Sequence, residues 1–384
     1  MAQTADCIII GGGIIGISIA YNLVKCGLKN VILLEKKEFL GTGSTAKSAG
    51  GIRHQHSTEI NIRMTLESVK ILKTFEDEME VNIDFRQHGY LLLAASEITL
   101  SELKKNAKLQ KSLGVEVSLL SPIEIKTIVP QLNIDDILGG TFCHQDGYLD
   151  PNGLMYGYSK NFKKLGGEIL TSTEVTGIKV KNGKVFSAVT NKGEIQSDII
   201  INAAGPYGGK IAEMSGLKLP LTPLKRQVFV TDVFKEISPT TPMVIDLDAP
   251  FYFRPEQSGA ILMSMADKQE TSGFDTTIDW SLLEKVVEKA IHRVPVLENA
   301  KIITGWAGLR TLTPDQNAIL GEVAALKGFI CAAGFSGHGI THAPIAGKLI
   351  SELIIDGKTE TLPIIEMSSE RFADGKSGYA NGVI

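Results

Sequence analysis

Cysteine is scarce in this chain of 384 residues: Cys7, Cys26, Cys143 and Cys331 stand far apart and form no CxxC. That spacing excludes a zinc ribbon and a cysteine-held iron–sulfur centre, and it points to reduced thiols in a cytoplasmic protein. Charge of one sign is also missing. A formal net charge of −4 and a pI near 6.0 leave no basic footprint for nucleic acid or for an anionic membrane. Long apolar runs are absent as well, since the N-terminal stretch carries Asp6 at its edge and is broken by four glycines, and no basic segment precedes it. It therefore reads as neither a signal peptide nor a membrane span. No repeat or low-complexity segment occurs, and small-molecule chemistry is the expectation.

Hydrophobic residues make up 43% of the chain, enough for more than one core, and its length exceeds what a single core usually holds. The organising stretch is Asp6-Cys7-Ile8-Ile9-Ile10-Gly11-Gly12-Gly13-Ile14-Ile15-Gly16. Its β-branched run predicts a central parallel strand, and Gly-x-Gly-x-x-Gly then opens a helix from about Ile14 to Cys26. Gly11 suits the tight turn, Gly13 lets a pyrophosphate approach backbone, and Gly16 lets helix and strand pack closely. A second strand ends in Glu35, whose carboxylate can accept from both ribose hydroxyls and disfavours a 2′-phosphate. These features together predict dinucleotide binding.

After Glu35 a long loop rich in glycine and hydroxyls, Gly41 to Arg53, is expected to touch ligand. From Asp84 the pattern changes to short strands. Near Leu165 the first rhythm returns, with a hairpin predicted at Asn182-Gly183 and a buried strand running into Asn202-Ala203-Ala204-Gly205. From Leu221 to about Ala300 the chain is again strand-rich. The fold class expected is α/β, a Rossmann-like dinucleotide-binding domain (1–83, 150–220 and 301–370) interleaved with an α+β substrate domain containing a largely antiparallel sheet (84–149 and 221–300). The tail, 371–384, reads as disordered.

The motifs resemble the flavin-dependent amino-acid oxidases and dehydrogenases related to D-amino-acid oxidase, glycine oxidase and sarcosine oxidase. The likeness rests on IIIGGGIIG with Glu35, on DIIINAAG, and most specifically on Thr313-Pro314-Asp315 followed by Gly334-Phe335-Ser336-Gly337-His338-Gly339. Sarcosine oxidase β-subunits and the similar proline dehydrogenase subunits look nearest. The resemblance implies FAD held by Gly11, Gly13, Ile14, Ile15, Gly16, Glu35 and Lys36. From the loop it implies Ser44, Thr45, Ser48, Ala49, Gly50 and Gly51, and from later segments Val175, Ala203, Ala204, Gly205, Gly308 and Arg310. The run from Gly334 through Phe335, Ser336, Gly337, His338 and Gly339 to Ile340 completes the set, with a helix start facing the flavin pole that becomes negative on reduction.

Departures from the family matter. The position of the flavin-linking cysteine in monomeric sarcosine oxidases is held by Gly308, no lysine occurs in Gly259–Met263, and no FMN-linking histidine occurs at Tyr148–Pro151. FAD is thus expected to be non-covalent. The implied reaction is oxidation of an amino acid or secondary amine by hydride transfer from Cα to flavin N5, giving an imine that hydrolyses. Arg310 and Arg53 are the candidate carboxylate clamp, and His338 is a further candidate catalytic residue. His54 and His56 lack an evident third ligand, so no metal is expected. Tyr252 and Trp306 could line an apolar pocket or pack in the core. Alternatives are 2-hydroxy-acid oxidation on the same fold, with His54 or His338 as base, and a non-catalytic flavin-binding assembly subunit. A partner subunit or an electron-acceptor protein is the expected partner besides the small substrate.

Overall fold

In the computed structural model, which describes residues 3–267 and 269–373, the strand Cys7–Ile10 is buried on both faces at the middle of a six-stranded sheet. Successive side chains leave opposite faces of a strand, so a doubly covered strand must be apolar throughout. Ile8 and Ile10 enter one core layer, and Cys7 and Ile9 the other. Val31–Leu34 and Glu168–Leu170 extend the sheet in parallel on one side, Ile200–Asn202 and Phe329–Ala333 on the other. Ile319–Glu322 closes it antiparallel.

The helix Ile14–Lys25 follows the glycine motif and packs against Gly339–Asp356. Their contact is close, since a side chain on Gly347 would collide with Ser18. A four-stranded sheet stands beside this layer, and its hairpin turns through Asn182 (φ 51°) and Gly183 (φ 72°). Two successive positive φ values are what an Asn-Gly turn supplies.

The second unit is built on an eight-stranded sheet. Its order is Ile302–Leu312, Thr222–Val233, Ala260–Met265, Phe251–Pro255, Met243–Asp246, Tyr90–Ala94, Gly139–Cys143 and Val117–Leu120. All neighbours are antiparallel except Met243–Asp246 with Tyr90–Ala94. One face buries Phe229, Phe253, Ile261 and Met263 against the helix Leu282–Arg293. The other carries Tyr90, Leu92, Ile245, Tyr252 and Leu262 toward the loop after Glu35, whose Ala49 packs beneath it.

The boundary expected at 301 falls differently. Ile302–Leu312 pairs along Thr222–Val233 and so belongs to the eight-stranded sheet. Its buried Ala307 and Leu309 alternate with partly exposed Trp306, Gly308 and Arg310, the pattern of a strand with one face on a cleft. The chain crosses to the parallel sheet only after Leu312.

Of the tail, Arg371 closes a last 3-10 turn (Ser369–Phe372) with Nε 2.8 Å from Asp315, while 374–384 lie outside the described residues. No described helix is long and apolar enough to cross a membrane.

Candidate active site

At the C-terminal ends of the parallel strands the glycine motif presents bare backbone. Gly11 (φ 115°) lies so close to Ala203 that a side chain would strike the Ala203 carbonyl, and one on Gly16 would strike that of Gly11. Glu35 takes the Gly12 N–H on one oxygen and the Lys37 N–H on the other, both at 2.8 Å. Thr45 Oγ1 accepts from the Ile14 N–H at 3.1 Å. Lys36 Nζ sits 3.1 Å from the Tyr207 ring centre.

Neighbouring segments close this end. Ala203 donates to the Ile10 carbonyl at 2.9 Å, Gly205 turns the chain at φ 54°, and Val175 begins its strand two residues after Thr173 bonds to the Glu35 carbonyl. Gly13 is the N-cap of the first helix and no acid occupies its first turn, so the positive pole is not neutralised from within. Backbone without Cβ atoms, a helix start and a terminal carboxylate are the donor and acceptor set a dinucleotide requires. The residues present fit it.

The second group of expected residues lies where the two sheets meet. Ser44 Oγ donates to the Leu309 carbonyl at 2.6 Å and Trp306 Nε1 to that of Lys47 at 3.1 Å. Gly308 allows this approach, because a Cβ there would lie 2.6 Å from that of Lys47. Ser48 Oγ accepts from Gly50 (φ 71°), and Gly51 passes under the Tyr90 hydroxyl, where no side chain fits. From the other side, Thr341 Oγ1 donates to the Gly51 carbonyl at 2.9 Å.

Gly334 (φ 77°), Ser336 (φ 50°) and Gly337 (φ 95°) turn the chain into the last helix. Phe335 and Ile340 anchor this turn in the core. The helix starts at Gly339 with His338 as N-cap, without a side-chain cap or an acid in its first turn.

Two arginines converge at this turn. The Arg310 side chain lies against Gly337, where an added Cβ would stand 3.1 Å from its Nε and Cζ. It makes no hydrogen bond or ion pair with the described residues. Arg53 is buried, its Nη2 is 3.2 Å from His338 Nε2, and its Nη1 has no partner. A guanidinium has no acceptor to offer, so His338 Nε2 must be unprotonated there. Burial first, and then the Arg53 charge, hold the His338 pKa well below the usual histidine range. Burial likewise lowers Arg53 and Arg310, while the Tyr90 and Tyr252 hydroxyls act on Arg310 in the opposite direction.

Behind Arg53 two further histidines pack together. His56 and His342 both reach Thr65 Oγ1, at 3.1 and 3.2 Å, and Thr65 Oγ1 also lies 3.2 Å from the Arg53 carbonyl. Burial lowers both rings, His342 to about 3.

Asp146 ties the other side of the loop. It is fully buried and accepts from the His54 N–H at 2.6 Å, His54 Nδ1 at 2.8 Å and Gln55 Nε2 at 3.0 Å. Cys143 joins His54 and Asp146, giving three ligand-type atoms within 4.8 Å of one another where the sequence offered no third partner for a histidine. Burial pushes the Cys143 thiol up, so it stays protonated, and Asp146 is used by hydrogen bonds that fix the loop. His54 and Asp146 thus act as a tether behind Arg53.

Sequence reasoning missed Tyr90, Asp146 and Arg226. Arg226 was legible: it alternates with Leu224, Val228 and Val230, a cation on a face otherwise apolar.

Fold and site together define a dinucleotide-binding oxidoreductase. A family model described as "DAO: FAD dependent oxidoreductase" matches residues 6–353, and the chain belongs to this family of FAD-binding enzymes. It is 30% identical over 376 residues to the mitochondrial sarcosine dehydrogenase of Mus musculus, covering 94% of this chain but only 40% of that protein. It is 31% identical over 415 residues to "FAD-dependent oxidoreductase domain-containing protein 1" of Xenopus laevis, covering 96% of this chain and 83% of that one. Among solved structures, the L-proline dehydrogenase from P. horikoshii superposes with a TM-score of 0.91 at 34% identity, covering 98% and 99% of the two chains.

Proposed function

We propose that this chain oxidises an amino acid or secondary amine of the sarcosine, proline or glycine type, with Arg310 holding the substrate carboxylate and Arg53 assisting. The observation that carries this reading is the unpaired Arg310 guanidinium on the cleft face of its strand, against the turn into the last helix. Its planar fork matches a carboxylate with two parallel N–H···O bonds. Tyr252 on the same wall is placed to add a hydroxyl. FAD, when bound, supplies the two-electron acceptor. The chain's own task is to fix the Cα–H bond toward that acceptor and to keep the amine unprotonated. The positive charge of Arg53 and Arg310 disfavours an ammonium beside them, and the tether through His54 and Asp146 keeps Arg53 in place. Loss of hydride from Cα of the neutral amine leaves an iminium cation, which water hydrolyses to a carbonyl compound and the released amine.

The glycine motif, Glu35, Thr45, Lys36 and the start of the last helix hold the cofactor in this reading. No covalent link forms, because Gly308 and Leu149 stand at the linking positions. The 2-hydroxy-acid alternative has less support: His338 Nε2 already accepts from Arg53 and so is not free to take a hydroxyl proton, and His54 is buried in its tether to Asp146. With no lysine at 259–263, electrons pass to a partner protein or dye in preference to oxygen. The four reduced cysteines support a reducing compartment such as the cytoplasm.

The test is anaerobic mixing of the yellow protein with sarcosine, proline, glycine, D-amino acids and 2-hydroxy acids. Bleaching of the flavin band by an amine is expected. Bleaching by hydroxy acids alone would overturn the assignment, and none with any compound would favour a non-catalytic subunit.

A further inference from the structure

Arg226 is a second cation on the wall that carries Arg310. The pairing Leu224↔Arg310, Arg226↔Gly308 and Val228↔Trp306 sets the two arginines diagonally on one face. Gly308 lies directly opposite Arg226, so no side chain separates them. Diagonal neighbours on a sheet face are within reach of long side chains. Arg226 Nη1 donates to the Lys225 carbonyl at 3.0 Å, its Nε is buried without a partner, and it forms no ion pair with the described residues. Glu270 and Asp267 act on Arg226 through their charge without an ion pair to it, and Glu270 stands 3.9 Å from Lys225 Nζ. Burial, and then the Arg310 charge, push Arg226 down to about 10, which still leaves it cationic at neutral pH.

Two guanidiniums without an ion pair, facing one cleft, repel each other until an anion lies between them. The α-carboxylate already meets two guanidiniums in that reading, the bidentate fork of Arg310 and the assisting Arg53, which together take up its acceptor sites. The α-carboxylate assigned to Arg310 therefore leaves Arg226, with its buried orphan donor, unsatisfied. We propose that Arg226 receives a second carboxylate, making the preferred substrate an amine or amino acid with two carboxylate groups. This rests on the reading of Arg310 given above, and it narrows the substrate class to dicarboxylic compounds.

The experiment titrates the FAD-loaded protein by calorimetry with glutarate and succinate against pentanoate and butyrate. We expect a dicarboxylate to bind about 10-fold or more tightly than the monocarboxylate of equal length. Arg226→Gln should bring that ratio close to one, Arg226→Lys should restore part of it, and Arg310→Gln should weaken both classes. Equal binding of the two classes by the wild-type protein would overturn the proposal. So would an Arg226→Gln variant that weakens both classes alike, because Arg226 would then share the single carboxylate of Arg310. A second arm compares anaerobic bleaching by racemic N-methylaspartate and N-methylalanine. A lower KM for the former supports the proposal. If both amines bleach equally well, the proposal fails while the amine reading stands. If neither bleaches yet the dicarboxylate preference depends on Arg226, the two-anion site stands and the amine reading fails.

Discussion

The nucleotide end of the molecule and the wall proposed to face substrate are built on different plans. At the first, three short runs (11–16, 35–45 and 203–205) offer mostly backbone, and residues adjacent in sequence do adjacent jobs. At the second, Arg53, Tyr90, Tyr252 and Arg310 come from four separate elements, and each acts through its side chain. A backbone cradle spreads its donors over many residues and survives loss of any one side chain. A clamp of side chains concentrates its effect in one or two of them and depends on what holds those in place.

Four measurements would break or sharpen this contrast. The tether behind the wall should show the largest effect: Asp146→Ala removes the acceptor shared by the His54 N–H, His54 Nδ1 and Gln55 Nε2, of which only Gln55 Nε2 keeps another partner among the described residues, the Tyr90 carbonyl, and should cost roughly 3–5 kcal/mol in urea unfolding. Asp146→Asn, which keeps an acceptor oxygen, should cost less; equal stability of Asp146→Ala and wild type would remove the tether from the argument. Next, Arg310→Ala should raise substrate KM by about 100-fold or more, and Arg310→Lys should recover only part, with FAD content unchanged in both. A normal KM in Arg310→Ala beside a raised one in Arg53→Ala would move the clamp to the loop.

At the backbone end, Glu35→Ala should weaken FAD retention by about 1.5–3 kcal/mol, the contribution of charge-assisted hydrogen bonds, without abolishing it. Complete loss of FAD from this variant would contradict the idea of a distributed cradle. The effect smallest per step, one pH unit at a time, concerns acid. Because His56 and His342 are held neutral in the folded protein, the unfolded chain binds more protons below about pH 6.5. Stability should then fall with decreasing pH by about 1.4 kcal/mol per unit for each ring, continuing toward pH 3 for His342. His342→Gln should flatten the slope by one such increment, and an unchanged slope would show that His342 is not the group concerned.

The same contrast explains what was readable beforehand. Gly11 to Gly16, Glu35 and the Asn182-Gly183 turn carry their conformational demands in residue type, so local sequence announces them. The helix Pro151–Lys164 was equally announced, by Asp150 as N-cap and Pro151 in its first turn, and was overlooked. The wall was less legible because its geometry is a matter of register. That Arg226 stands diagonal to Arg310 follows from pairing Thr222–Val233 with a strand some eighty residues later, and nothing local to either run specifies that pairing. Asp146 was invisible for a similar reason, its three donors lying on residues 54 and 55 across a long chain separation.

The position of the first helix has a consequence for how the protein is made. Ile14–Lys25 leaves the ribosome more than 300 residues before its packing partner Gly339–Asp356. At roughly 5–20 residues per second the wait is on the order of 15–60 s. For the first part of that interval the strand Cys7–Ile10 also lacks the Ile200–Asn202 strand beside it. The newborn glycine motif is therefore an apolar segment in need of shelter, and cofactor loading becomes a late event that waits for the Gly339–Asp356 helix.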